Sequence, residues 1–171
     1  MIHETRSRSK GFTLIELLVG ITVTSIVFSI GYSGFREFSR RQALTGVTKA
    51  AVADLRQIQQ LALTGQKPPA SAGTCPKLVG YTFSRTNGGT SYDINASCDV
   101  STGSSPDIRS RLIKSVPLNG VTFTATTAST LFKILGQGTD LSVSNNLTFT
   151  HIATNTNAII TIRVGGDVQV Q

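Results

Sequence analysis

One long apolar segment near the N-terminus constrains this chain more than any other feature of its 171 residues. The segment runs from Phe12 to Phe35, and its one charged residue is Glu16, close to the start. As a helix rising about 1.5 Å per residue, it would extend roughly 36 Å and cross a hydrocarbon core of about 30 Å. An ionised side chain inside hydrocarbon costs about 2.5–3.5 kcal/mol or more, so Glu16 needs a specific role.

Two ordinary kinds of segment share this composition. A secretory signal peptide has a basic start, a short apolar core and a cleavage site of small residues. Residues 1–10 are basic, but the apolar run is longer than such a core, and residues 34–38 form a poor small-residue site. A plain transmembrane anchor is the alternative that hydropathy alone favours.

The residues around Gly11 distinguish these alternatives. The segment from Gly11 to Leu18, GFTLIELL, resembles the class III signal of type IV prepilins and pseudopilins. In that family a dedicated peptidase cuts after the glycine, and the new N-terminal residue is N-methylated. The resemblance implies a leader peptide over residues 1–11, cleavage between Gly11 and Phe12, methylation of Phe12, and an assembly role for Glu16.

Simple helix geometry brings Phe12 and Glu16 together. Residues four apart lie on one helical face, and a carboxylate is favoured near the positive end of the helix dipole. Glu16 could therefore neutralise the new amine of its own chain. It could also meet the amine of a neighbouring chain, and the cost of an unpaired buried charge would then hold incoming subunits in one register. The sequence allows both, and the family resemblance favours the second.

Charge counting does not fix the orientation in the membrane. Three cations precede the span and three follow it, so the positive-inside rule is nearly balanced (Arg6, Arg8, Lys10; Arg36, Arg40, Arg41). The resemblance implies a single-pass protein of the bacterial cytoplasmic (inner) membrane. Its N-terminus would lie in the cytoplasm and its head outside, before it enters an extracytoplasmic filament.

The helix is expected to continue beyond the transmembrane helix of residues 12–35. Residues 36–65 predict an amphipathic helix, because apolar residues recur every three or four positions (Leu44, Val47, Ala51, Leu55, Ile58, Ala62). Polar residues occupy much of the surface between them (Lys49, Asp54, Arg56, Gln57, Gln60). Gly65 and Pro68-Pro69 end the helix, and Gly31, Gly34 and Gly46 are positions where it could bend.

Residues 66–171 predict a β-rich globular head after a Pro/Ala/Ser/Gly linker. Turn residues at 87–89 and 165–167 predict two hairpins. The predicted strands are Lys77–Ser84, Ser91–Ala96, Arg109–Val116, Val121–Ala125, Leu131–Leu135, Asn146–Ile152, Ala158–Val164 and Val168–Val170. The resulting class is α+β, a long N-terminal helix packed on a β-rich head, which is similar to the pilin fold. The closing hairpin resembles that of GspH/FimT-type minor pilins and pseudopilins.

Cys75 and Cys98 are the two cysteines, and both follow the apolar segment. In an exported domain such a pair predicts one disulfide. Its loop of about 24 residues would contribute roughly 3 kcal/mol in the chain-entropy model. Two free thiols in a reducing compartment are the alternative.

A basic surface permits, without requiring, contact with acidic polymers. The net charge is +7 and falls to +5 without residues 1–11. Some FimT-type proteins bind DNA through a glycine-arginine-x-arginine element near the C-terminus, but here residues 166–169 read Gly-Asp-Val-Gln and lack both arginines.

Arg109 and Arg111, on one face of a strand, with Lys114 on the other, form a candidate nucleic-acid contact. A solvated strand face is the alternative. Tyr81, Phe83 and Tyr92 could stack bases or belong to the core.

Enzymatic chemistry finds little support in the sequence. The chain beyond the leader has one histidine, His151, and no catalytic set assembles from residue spacing. Asp93, Asp99 and Asp107 match no cation-binding loop, so neither a metal nor a cofactor is expected.

The predicted function is that of a structural subunit, a minor pilin or pseudopilin of a type IV pilus-like or type II secretion filament. Its partners would be other pilin or pseudopilin subunits, prepilin peptidase, an inner-membrane assembly platform and membrane lipid. A DNA-binding minor pilin acting in DNA uptake is one alternative. A membrane-tethered monomeric enzyme or receptor is another.

Overall fold

A computed structural model describes residues 11–86 and 89–170, and its architecture is one long helix followed by antiparallel sheets. Helix α1 spans Leu14–Thr64, 51 residues in all. The strands that follow are β1 Lys77–Arg85, β2 Ser91–Asp99, β3 Ile108–Pro117, β4 Val121–Ala125, β5 Ser129–Lys133, β6 Asn145–His151, β7 Asn157–Ile162 and β8 Val168–Val170. Short 3-10 turns occupy Ala70–Ala72 and Ile134–Gly136. The predicted α+β class is confirmed.

The chain divides into two compact units, residues 1–39 and 40–171. The described part of the first unit is the beginning of α1. The second unit holds the remainder of α1 and all eight strands. The leader peptide proposed for residues 1–11 lies outside the described residues except for Gly11, and the proposed segment boundaries stay predictions.

Both ends of α1 follow from local sequence chemistry. At the start, the backbone N–H of Glu16 donates to the hydroxyl oxygen of Thr13 at 3.3 Å, as in an N-terminal cap. At the end, Gly65 has φ +63°, and the N–H groups of Gly65 and Gln66 donate to the carbonyls of Ala62 and Leu61. This pair of hydrogen bonds is the Schellman motif, which explains why the helix ends where Gly65 predicts.

The strands form two four-stranded antiparallel sheets, ordered β3-β2-β1-β5 and β4-β6-β7-β8. Both predicted hairpins are present, as β1–β2 and β7–β8. In the second, Gly166 has φ +93° and its N–H donates to the Arg163 carbonyl at 2.8 Å. Of the first predicted turn, Asn87 and Gly88 lie outside the described residues.

One strand prediction was wrong in its position. The run Leu131–Leu135 was expected to be a strand, but β5 covers Ser129–Lys133. The chain turns back at once, because the Lys133 N–H donates to the Gly138 carbonyl and the Asp140 N–H donates to the Leu131 carbonyl. This turn places Leu135 at φ 56°, ψ 35°, which is incompatible with a strand.

The second half of α1 supplies one wall of the core. Its apolar stripe is buried as the periodicity predicts (Leu44, Ala51, Leu55, Ile58, Ala62), with Val47 partly buried. Aromatic rings join the two sheets: Phe83 stacks on Tyr92 at 4.8 Å and meets Phe123 at 6.0 Å, and Phe123 stacks on Phe149 at 4.9 Å between centroids. Because Tyr81, Phe83 and Tyr92 are at most 2% exposed, they belong to the core and the base-stacking alternative is wrong.

A charged group also lies in this core, against the sequence expectation. Asp54 was assigned to the polar surface of the helix, but its side chain is only 9% exposed. It accepts a hydrogen bond from the Tyr92 hydroxyl at 2.7 Å and two from Lys114 Nζ at 2.8 and 2.9 Å. A buried carboxylate requires such donors, so Asp54 fixes α1 against β2 and β3.

Replacing Asp54 tests this link. Asp54→Ala leaves the Tyr92 hydroxyl buried without its acceptor, and we expect a loss of about 2–3 kcal/mol in the free energy of unfolding. Asp93→Ala is the matched control, because Asp93 is half-buried at the sheet surface and accepts from Ser115 there. Chemical denaturation followed by circular dichroism measures both. Equal stabilities for the two variants would contradict the role of Asp54.

Alkaline pH tests the same cluster through the ionisation of Tyr92. Burial, followed by the hydrogen bond to Asp54 and its negative charge, raises the pKa of Tyr92 above the usual value for tyrosine. The neutral phenol is therefore favoured in the folded state, and its stabilisation is complete below about pH 10 and declines above it. We expect stability to fall more steeply between about pH 10 and 11.5 in the wild type than in Tyr92→Phe. Parallel declines would refute this assignment.

Candidate assembly surface

The beginning of α1 carries apolar side chains that find no partner in their own unit. Every large hydrophobic residue from Phe12 to Phe35 is 52–84% exposed. This part of the helix is long and apolar enough to cross a membrane, and none of it is buried. Such a surface is strongly unfavourable in water, so it must be covered by lipid or by other protein chains.

Hydroxyl side chains of this stretch bond back to the helix. Four hydroxyls donate to backbone carbonyls three or four residues earlier, at 2.6–2.9 Å (Thr22, Thr24, Ser25, Ser29). An apolar surrounding requires this arrangement, because it offers no water to satisfy polar groups. Glu16 is the one side chain among residues 12–35 that is charged at neutral pH.

Glu16 lies in a shallow depression along one face of the helix. The depression encloses about 570 Å³ and is lined by Phe12, Glu16, Leu17, Gly20, Ile21, Thr24, Ser25 and Phe28. Gly20, one turn after Glu16, lacks a side chain, and a Cβ there would meet no atom within 4 Å. Two residues of the predicted site, Phe12 and Glu16, therefore border one concavity in which the helix backbone is open to close approach.

Thr13 caps the start of α1, a local role that the sequence interpretation missed. Its pairing with Glu16 has the Thr-x-x-Glu spacing of a capping box, in which the glutamate can reach back to the threonine N–H. That spacing was available in the sequence. A Glu16 carboxylate that bonded the Thr13 N–H in this way would compete with pairing to an amine.

Residues 6–32 match the family model described as "Prokaryotic N-terminal methylation motif". This chain carries the prepilin methylation motif. The motif indicates the type IV pilin and pseudopilin family. It confirms the family resemblance that Gly11, Phe12 and Glu16 suggest in the sequence. It covers the N-terminal segment alone and does not separate pilins from pseudopilins. Comparison with curated proteins and with solved structures gives no significant match.

The candidate nucleic-acid contact has a different arrangement from the expected one. Arg109 and Arg111 were placed on one face of the strand and Lys114 on the other. The register instead pairs Arg109, Arg111 and Lys114 with residues of a single β2 face, Cys98, Ala96 and Ile94. A bulge at Ile113 shifts the alternation by one residue and turns Lys114 to the face that packs on α1.

Each of these three cations is already engaged or partly covered. Arg109 forms an ion pair with Asp107 at 3.0 Å, and Lys114 pairs with Asp54. Arg111 is half-buried beside Gly73, and its Nε has no hydrogen-bond partner among the described residues. The pKa of Arg109 is raised by its hydrogen bond to Asp107 and by the charge of that carboxylate. The geometry does not bring the three cations together as a phosphate clamp.

The C-terminal hairpin, which lacks the arginine element sought in the sequence, contacts α1. The Gln59 side-chain amide donates to the Gly166 carbonyl, and Asp167 accepts from Gln169 at 3.0 Å. A cavity of about 370 Å³ lies between this hairpin, the helix and the β5 turn. Lys133 and Asp167 both line it, so it has no single charge that would select an anion.

The other candidate chemical groups have structural partners. Asp99 accepts from the Ser101 and Asp107 N–H groups and lies 3.6 Å from Lys77 Nζ. Hydrogen bonds from Ser101, above all, lower the pKa of Asp99. His151 Nδ1 accepts from the Ala153 N–H at 3.2 Å. Within residues 11–86 and 89–170, no three His, Cys, Asp or Glu side chains are grouped so as to hold a metal ion.

Cys75 and Cys98 form a disulfide that joins the segment before β1 to the end of β2. Cys98 is fully buried and Cys75 nearly so. The bond therefore fixes the linker that follows α1 to the sheet that α1 packs on.

Filling the depression at Gly20 tests whether it is a packing surface between chains. A Cβ at residue 20 would meet no other atom within 4 Å, so we expect Gly20→Leu to insert normally into the membrane and to lose assembled filament several-fold. Thr22→Leu places the same leucine side chain about 200° around the helix and is the control. Sedimentation of sheared filaments and immunoblotting of membranes measure both. Unchanged assembly of Gly20→Leu would exclude close packing at this face.

Proposed function

We propose that this protein is a minor pilin or pseudopilin that builds a type IV pilus-like or type II secretion filament. The motif supports the coarser conclusion, a type IV pilin-like structural subunit that associates with other pilin subunits and is processed by prepilin peptidase. In our proposal the peptidase cuts after Gly11, Phe12 becomes the methylated N-terminus, and the helices of residues 12–35 pack together in the fibre.

The observation that carries this proposal is the exposed apolar half of α1. Its described large apolar residues are exposed, and four of its hydroxyls bond to the backbone of the helix itself. Two environments suit such a surface, the bilayer and a bundle of identical helices. A filament subunit uses both in turn, because packing between helices replaces contact with lipid when the subunit leaves the membrane.

Glu16 can be neutralised in both environments. In the membrane, a carboxylate one turn from a free amine can be neutralised by its own chain. In a bundle, the same carboxylate can pair with the amine of a neighbour, which sets the axial register between subunits. Gly20 follows on the same face and allows the backbones to approach.

The motif and the apolar helix fit a pilin anchored in the inner membrane. We further propose a cytoplasmic N-terminus and a head on the opposite side. The assembly platform and surrounding lipid would be additional partners. These assignments rest on the family resemblance, since the cations flanking the span are balanced.

DNA uptake is the alternative role, and no described feature favours it. Two of its three candidate cations are paired with aspartates, and the element at residues 166–169 has no arginine. Pilin-family proteins are generally non-enzymatic, so the reading as a tethered enzyme gains no support from the motif.

Three variants separate the charge of Glu16 from its capping role. Glu16→Ala removes both, Glu16→Gln keeps the capping geometry without the charge, and Thr13→Ala removes the cap alone. If the charge sets the register, we expect both Glu16 variants to insert normally and to lose at least about tenfold in filament yield. Thr13→Ala should assemble almost as the wild type does.

Intact-mass spectrometry of the native protein provides the control on processing. We expect a chain that begins at methylated Phe12 in the wild type and in all three variants. A chain that begins at Met1, or beyond Phe35, would remove the filament proposal. Assembly of Glu16→Gln at the wild-type level would refute the charge-pairing role and leave the filament itself intact.

A further inference from the structure

A groove on the second unit lies between α1 and the C-terminal strand β8. It consists of two adjoining cavities of about 490 and 230 Å³, both lined by Thr48, Lys49 and Val170. Leu44 and Ala158 contribute to the floor of the larger cavity, and Val52 to that of the smaller. All of these residues lie within residues 40–171, the unit that contains the sheets.

The rim of this groove is basic. Lys49 and Arg56 are exposed, and neither has a carboxylate within ion-pairing distance among the described residues. No aspartate or glutamate lines either cavity in the part of the chain that the structure describes. Arg41 also lines the groove and already interacts within the chain.

The wall opposite the helix is an open strand edge. In the second sheet β8 is the outermost strand, and among residues 11–86 and 89–170 it pairs with β7 alone. The Val170 side chain is 55% exposed although it borders both cavities. An outer strand of this kind presents backbone donors and acceptors to an added extended segment.

We propose that this groove binds an acidic, partly apolar segment of a partner protein in an extended conformation. Apolar side chains of the segment would cover Val52 and Val170, and its carboxylates would meet Lys49 and Arg56. Position 56 is seven residues after position 49, or about 10 Å along the helix. This distance lies between the spacings of side chains two and four residues apart on one face of an extended chain, about 7 and 13 Å.

Charge decides against a second copy of this chain as the occupant. Residues 40–171 contain twelve lysines and arginines against six aspartates, so another copy presents the same sign. The mostly apolar floor decides against nucleic acid, whose backbone carries charge at every residue and has no aliphatic side chains. The inference does not depend on cleavage after Gly11 or on filament assembly.

The test uses the full-length chain in micelles of a zwitterionic detergent. The probe is a fluorescent hexapeptide of alternating glutamate and valine, and its anisotropy is measured at low salt. We expect saturable binding that weakens in 0.5 M salt, because exposed charges are then screened. The matched peptide of alternating lysine and valine should not bind. Failure of the glutamate peptide to bind would overturn the proposal.

Two pairs of variants locate the site. Lys49→Gln with Arg56→Gln should weaken binding roughly fivefold or more, whereas Lys67→Gln with Arg85→Gln, which lowers the net charge equally elsewhere, should not. Val170→Ser should weaken binding about threefold, and Val143→Ser, at an equally exposed valine outside the groove, should leave it unchanged. Equal effects of the two charge pairs would overturn the proposal. So would an oligothymidylate of the same charge that binds as tightly through Lys49 and Arg56.

Discussion

A single helix in this protein must satisfy two incompatible environments, and the rest of the structure follows from that constraint. From Phe12 to Phe35 its apolar side chains face outward all round, and from Leu44 to Ala62 they occupy one stripe against the sheets. The change occurs without a break in the hydrogen-bonded helix, even at Gly31, Gly34 and Gly46. Residue composition around the helix therefore determines which part needs lipid or other helices and which part belongs to a folded head.

Where α1 packs on the sheet, polar interactions fix the position of the helix, which apolar packing alone does not define. An apolar stripe can slide along a sheet at modest cost, since one aliphatic contact resembles another. The Asp54 carboxylate, with donors from two strands, has one satisfied position. The disulfide adds a covalent restraint on the linker that follows the helix. Together they specify how α1 lies on the strands of its own unit.

The sequence predicted the features that depend on periodicity and local turn chemistry. Apolar spacing located both halves of α1, and Gly65 and the glycine-rich turns marked ends that backbone geometry requires. It failed where tertiary contacts decide. Asp54 looked like a surface residue because its partners are 38 and 60 positions away along the chain. Lys114 was placed on the wrong strand face because a bulge at Ile113 leaves no signal in one sequence. The assembly roles of Phe12 and Glu16 stay predictions, since they depend on other chains.

The bulged strand β3 has a consequence for the fibre that we propose. As the outermost strand of its sheet, β3 could form backbone hydrogen bonds with a strand of an adjacent head. Its irregular pleat at Ile113, its charged side chains along one face and its closing Pro117 all hinder such fusion. Arg109 and Arg111, candidates for nucleic-acid contact in the sequence, would thus keep this strand edge from pairing, so that neighbouring heads in the proposed fibre could touch side by side and stay separately folded.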